Sequence, residues 1–383
     1  MTEKQIKSLP RTVFASFGVF LLAFLTLTVG AKADDFYLVR GISVDKTAPS
    51  ATEARQQAVA EGQRRAFGAL YRKLTLKNYY PDMPDVTDDQ LTGMITGFQV
   101  SNEKTSAGRY IADLSFEFRR EQVLPILEAN SIPYSESVSK PIIVLPIFEE
   151  KGSKNLWEEP NPWRDAWLDV FEGGDGPEGS QQRQDDWAQQ KLMPVVIPSG
   201  TLDDLKTISV DQAINMDRDA ISALQEAYGA GATLVAYASL QNNNDVRRLD
   251  ISYQRSDFLT PAVVETFTGG DSDRDIYRAA IFDVVQNLQE GWKDQNILDR
   301  SIQNRLAITS KINGLEDWIK IKTKAETIPA VEQIIVREMS VEGVFWEISF
   351  VGDLIQLKTA LAQRDLQLQN EEGYWTLNSG NQF

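Results

Sequence analysis

The sequence predicts a chain of several domains, mixed α+β and α/β in class. Strand-type alternation and helix-type periodicity interleave along most of its length, the pattern of sheets covered by helices. Capping boxes of the form Ser/Thr-x-x-acid or amide open several of the helical segments. A length of 383 residues exceeds what one core usually serves, so roughly two or three domains are expected.

The first expected domain spans residues 34–137 and begins with a strand from Phe36 to Val44. A helix follows, opened by Ser50 and Glu53, whose side chains satisfy free first-turn N–H groups. Along it Ala51, Ala54, Ala58, Val59, Gly62, Ala66, Ala69, Leu70 and Leu74 fall on one broad arc. The first half of that arc is small, which predicts a close approach to a sheet. Glu53, Gln57, Glu61, Arg64, Arg65 and Arg72 cover the rest, and their mixed signs mark a scaffold helix and not a basic patch. Arg55 falls inside the apolar arc, where a carboxylate or backbone carbonyl is expected to pair with it. Next come a helix opened by Thr87 and Gln90, strands from Phe98 to Glu103 and Tyr110 to Phe118, and a helix from Glu121 to Ala129. Tyr110, Ala112, Leu114, Phe116 and Phe118 share one strand face. Residues 132–141, IPYSESVSKP, read as an exit linker.

The second expected domain, 141–300, starts with PIIVLPIF, a continuous apolar run typical of a strand buried on both faces. LMPVVIP is expected as a strand, and residues 209–228 as one helix opened by Ser209 and Gln212. Three strands follow in GATLVAYASL, VRRLDISYQ and PAVVETFTG, closed by a long helix from about Asp273 to Asp294. A mixed sheet with helices packed on it is the expected architecture. The third domain, 303–383, reads strand, helix, strand, strand, helix and a final strand pair, the ferredoxin-like order.

Ahead of these domains, Lys4, Lys7 and Arg11 precede a charge-free run from Val13 to Val29 and then Ala31-Lys32-Ala33. That order predicts a secretory signal in residues 1–33, cleaved after Ala33, with a retained anchor as the rival. Cleavage leaves no integral membrane segment and a periplasmic chain. The net charge of −16 repels nucleic-acid phosphates and anionic lipid, so the expected partners are envelope proteins, with glycans second. The chain has no cysteine and no histidine, which removes Ser-His-Asp and Cys-His nucleophilic sites and the usual ligands of zinc, copper and haem. No cofactor or metal is expected, and no catalytic motif marks an enzyme.

VRGISVDKTAPSATEARQQAVAEGQRRAFGALYRKLT, PIIVLPIF, WEEPNPWRDAW and GATLVAYASL together resemble a proteobacterial family of exported proteins, catalogued as domain of unknown function number two thousand and sixty-six. The resemblance covers roughly residues 36 to 270 and implies an export compartment and a set of modules, with no activity attached. The middle domain's order of apolar strand, helix, G-A-T-L strand, hairpin and long helix also resembles the N-terminal domain of TolB and CsgG-like secretion components. That likeness concerns fold alone.

The strongest candidate site is the stretch NLWEEPNPWRDAWLDVFEGG, with Trp157, Asn161, Trp163, Arg164 and Trp167 as binding residues. Aromatic faces beside Glu158, Glu159, Asp165 and Asp169 could stack a sugar, and two carboxylates at suitable spacing could hydrolyse one. The structural alternative is a helix started by Pro162 that buries Trp163 and Trp167 at i, i+4. Elsewhere, GGDSDRD lacks the Gly and Glu of a calcium loop and reads as a helix cap. Gly229 in YGAGA reads as a helix stop. Phe345, Trp346 and Phe350 are expected in sheet packing, and Ser310 and Lys311 on opposite strand faces.

Overall fold

The computed structural model describes residues 35–172, 177, 181–189, 192–243, 246–257, 261–371 and 373–379. The expected signal lies outside them. The first sheet is built from β1 (Leu38–Thr47), β2 (Ile95–Thr105) and β3 (Arg109–Phe118), in the antiparallel order β1-β3-β2. With it go α1 (Ala51–Leu74), α2 (Asp88–Met94) and α3 (Arg120–Ala129). α1 lies across the sheet on Ala54, Ala58 and Gly62, all buried. A Cβ on Gly62 would stand 2.8 Å from Leu114 Cδ1, so the absence of a side chain lets the helix come this near.

Two expectations are corrected here. Arg55 is not in the buried stripe: its side chain is about half exposed and pairs with Glu103 at 3.6 Å. Close approach narrows the contact line to the small residues, so an arc drawn for ordinary spacing is too wide. Nor is 132–141 a free linker, although it has no regular secondary structure. Ile132, Tyr134 and Ser135 are buried. The buried Glu136 carboxylate accepts from Tyr37 Oη at 2.6 Å, Arg120 Nε at 2.6 Å and Arg300 Nη2 at 3.5 Å. Burial first, and then the Glu136 carboxylate, push the Tyr37 hydroxyl's pKa far up, against a smaller lowering by Arg120.

The second sheet follows with β4 (Ile142–Glu150), β5 (Ser153–Asn155), α4 (Pro162–Glu172), α5 (Gln181–Ala188), β6 (Val195–Val196), α6 (Leu202–Thr207), α7 (Val210–Ile214) and α8 (Arg218–Tyr228). It is completed by β7 (Ala232–Asn243), β8 (Val246–Arg255), β9 (Val263–Thr268) and α9 (Asp273–Asn296). The order is β5-β4-β7-β8-β9, with β4 and β7 parallel, β7 to β9 an antiparallel meander, and β6 beside β4. β4 is buried on both faces: Ile142, Val144 and Phe148 enter a core with α4 and α9, and Ile143, Leu145 and Ile147 a core with α8. The strand expected in LMPVVIP shrinks to two residues, since Pro194 and Pro198 bracket it and withdraw ladder donors. The helix expected over 209–228 is broken, because Met216 takes φ 51° and Asp217 caps a new helix by accepting from the Ala220 N–H. Gly229 stops α8 in the left-handed region at φ 60°.

The third sheet holds β10 (Gln303–Lys311), α10 (Leu315–Glu326), β11 (Val331–Met339), β12 (Gly343–Val351), α11 (Leu354–Ala362), β13 (Leu366–Glu371) and β14 (Tyr374–Ser379). Its order is β11-β12-β10-β14-β13. β14 enters parallel beside β10, with Trp375 opposite Ile308, and so displaces β13 to the edge. α10 and α11 share one core with Trp346, Ile348 and Phe350. Trp346 packs edge-on against Trp318 at 5.3 Å and donates to the buried Ser310 hydroxyl at 3.1 Å. Phe345, expected in packing, is 44% exposed, because its neighbours in sequence take the helix-covered face and alternation turns it outward. The chain is thus mixed α/β with three sheets among the described residues. No described helix is long and apolar enough to cross a membrane.

Candidate functional site

The tryptophan segment is interior. Trp163 and Trp167 are fully buried, 5.8 Å apart and nearly perpendicular, and Trp163 also meets Tyr277 at 5.8 Å. The Trp163 indole donates to Ala236 O at 2.9 Å, tying α4 to β7. Asn161 is buried too: its amide donates to Pro146 O at 3.0 Å and Asn155 O at 3.1 Å, and its Oδ1 accepts from the Arg164 N–H at 3.0 Å. It therefore caps α4 while Pro162 takes the first helical position. Arg164 donates to Trp157 O at 3.2 Å and pairs with Glu159. Trp157, half-buried, donates to Ile208 O at 2.8 Å. The structure thus brings the five predicted residues together, but as a packed joint. Stacking a sugar needs an open ring face, and those of Trp163 and Trp167 are turned inward. Of the nearby acids, burial and then Glu159 raise the Asp165 pKa. Hydrogen bonds from Arg274 and then Arg278 hold Asp169 below the usual carboxylate range.

A denser polar cluster forms where α1, α5 and α9 meet. Arg65 reaches Asp185 through Nε at 2.8 Å and Nη2 at 2.7 Å, and donates to Ser43 O at 2.7 Å. Two turns on, Arg72 Nε donates to both Asp186 oxygens at 2.7 and 2.8 Å. Gln189 holds the backbone of Arg40, donating to its carbonyl at 2.7 Å and accepting from its N–H at 3.1 Å. Behind them Lys293 is buried; its Nζ donates to Thr75 O at 2.5 Å and Arg72 O at 2.9 Å, and pairs with Glu290 at 2.5 Å. Burial lowers the Lys293 pKa and raises that of Asp186. The cavity between Arg72, Tyr80, Asp186, Gln189, Glu290 and Lys293 measures about 50 Å³. That admits a few waters, far less than the ~300 Å³ of a small-molecule pocket. Sequence reasoning missed this cluster because its pairs span more than a hundred residues. The only trace was the arginine spacing on α1 and the adjacent acids of QDDWAQQ.

Exposed apolar side chains gather on the third sheet at β11, which ends the strand order as an open edge. Val336, Met339 and Phe345 are each 40% or more exposed, and Val341, in the turn to β12, is 85% exposed. Comparison with protein-family models, curated proteins and solved structures finds no match to the chain.

Proposed function

We propose that the chain is a periplasmic, non-catalytic adaptor of the cell envelope that docks partner proteins by strand addition along β11. The observation that carries this reading is an edge strand of nine residues beside exposed Val336, Met339, Val341 and Phe345. Unpaired N–H and C=O groups along such an edge template an extended peptide, and alternate apolar side chains select it. Glu332, Arg337 and Glu338 interrupt the apolar row and discourage indiscriminate pairing. Export is supported by the basic, apolar and small-residue order of the amino terminus and by the resemblance to the exported family. The β11-β12-β10 order with both helices on one face supports a ferredoxin-like reading of the third unit, extended by β14. The parallel β4–β7 pair, meander and long α9 support a TolB-like reading of the second.

The test is photo-crosslinking in intact cells from a benzophenone residue placed at Val336 or Phe345, with Lys154 as a distant control. Both β11-side positions are expected to capture the same envelope protein, and Met339→Lys to reduce capture about tenfold, the cost of ~1.4 kcal/mol. Equal capture from the control position, or none from either Val336 or Phe345, sinks the reading.

A further inference from the structure

α5 is out of place for its position in the chain. By sequence it lies between α4 and β6 of the second unit, yet its acidic side chains are spent on the first, Asp185 on Arg65 and Asp186 on Arg72, and Gln189, just past its end, bonds the Arg40 backbone. The receiving surface is built for such a segment. β1 is an edge strand, and its register with β3 slips between Val39 and Ile42, leaving the Arg40 peptide groups outside the ladder. Gln189 takes both of those groups at once, as a pairing peptide would. Arg65 and Arg72 stand two turns apart on one face of α1, so adjacent carboxylates can each meet a guanidinium. Lys293, paired with Glu290, lies buried behind Arg72 and ties α9 to the end of α1. In a chain of net charge −16, this groove is a local reversal of sign that draws acidic segments where the remaining surface repels them.

We infer that the groove between the β1 edge and the arginine face of α1 is a docking surface for an acidic, aromatic segment of a partner protein, which α5 occupies in cis. The partner segment carries two adjacent carboxylates, an aromatic residue and an amide, the chemistry of Asp185, Asp186, Trp187 and Gln189. Trp187 adds the second half of the hold: it packs on Phe282 at 4.6 Å and Phe171 at 5.7 Å. α5 therefore sits between an electrostatic contact with α1 and an aromatic one with α4 and α9. The electrostatic half weakens with salt and with competing carboxylates.

The test uses the full chain with Asp185→Asn and Asp186→Asn, and a fluorescein-labelled peptide with the sequence of residues 181–189. Anisotropy is expected to show the peptide binding this variant at least tenfold more tightly than the unaltered chain, a difference of ~1.4 kcal/mol. Adding Arg65→Gln and Arg72→Gln is expected to abolish that binding. Equal binding to both chains, or none to the folded variant, overturns the inference in favour of a fixed structural joint. Should the variant not fold, hydrogen exchange on the unaltered chain decides. Raising salt from about 0.05 to about 0.5 M is expected to speed exchange of the α5 amides roughly tenfold and leave those of β4 and β7 unchanged. Exchange of α5 in step with β4 at every salt overturns it as well. Neither measurement involves β11, so this inference and the strand-addition reading fail separately.

Discussion

At the residue scale, burial decides what a side chain can do. Trp163 is fully buried with its indole bonded to Ala236 O, so Trp163→Ala removes both packing and a hydrogen bond. A loss of about 3–5 kcal/mol in chemical unfolding is expected; a variant of unchanged stability that had lost glycan binding would restore the open-site reading. Lys293 presents the opposite case, a charge held under the end of α1. Replacing it with Met takes from Thr75 O its Lys293 donor, leaves Arg72 O with the Tyr80 hydroxyl alone and Glu290 without its buried cation, and is expected to cost about 3 kcal/mol at neutral pH. Burial depresses its folded pKa below the ordinary 10.5, so between those two values the unfolded chain binds more protons. Stability contributed by this group therefore rises with pH through that alkaline window, and the penalty is full below it. Urea titrations at stepped alkaline pH are expected to show this rise in the native chain and its absence in Lys293→Met; an unchanged slope would assign it elsewhere. Capping residues were legible from sequence because their bonds are local: Thr87 with Gln90, Ser209 with Gln212 and Ser272 with Asp275 all form capping boxes. Arg55 was not, because its exposure depends on how near a distant sheet lies to α1.

At the element scale, the small-residue half of α1 predicted a close helix–sheet approach, and Gly62 over Leu114 and Phe116 is where it occurs. Two effects compete in Gly62→Ala. Helix propensity gains about 1 kcal/mol, while a Cβ at 2.8 Å from a buried Leu114 methyl overpacks the interface by about 1–3 kcal/mol. The second wins, and a net loss of about 1 kcal/mol is expected by thermal unfolding. Gly62→Val, which gains less propensity and adds more volume, is expected to lose about 3 kcal/mol. Equal or raised stability in both would mean that α1 rides higher than described. Alternation made the β3 and β12 faces readable, since one face of each meets a helix. It could not place β14, because LQLQ and YWTL alternate equally well whichever of them lies beside β10. Strand order is a non-local choice. Here it follows from Trp375 and Leu377 joining Ile308 under the helices.

At the scale of the whole molecule, residues 132–141 bond to elements of all three sheet units. Glu136 joins Tyr37 and Arg120 of the first sheet's unit to Arg300, beyond α9. Ser137 O accepts the Trp292 indole at 2.7 Å, the Ser139 N–H donates to Leu192 O at 2.8 Å, and Lys140 pairs with Asp365 at 2.5 Å. Composition alone suggested a linker, since Ser, Pro and Glu are what loops are made of; only tertiary contact shows it partly buried and bonded along its length. Each of these bonds is worth about 1 kcal/mol, and a charge-assisted one about 2, so together they are enough to make the loss of one core costly to the others. Calorimetry of the native chain is expected to give a single transition with calorimetric and van't Hoff enthalpies in agreement. Glu136→Ala leaves Tyr37 without its acceptor and Arg120 and Arg300 without their shared carboxylate. It is expected to broaden that transition or split it, with the third sheet, tied to the strap through Lys140 and Asp365, separating first. Three resolved transitions already in the native chain would show that the strap only fills space between independent domains. An unaltered single transition in Glu136→Ala would place the coupling in the Lys140 and Trp292 contacts instead.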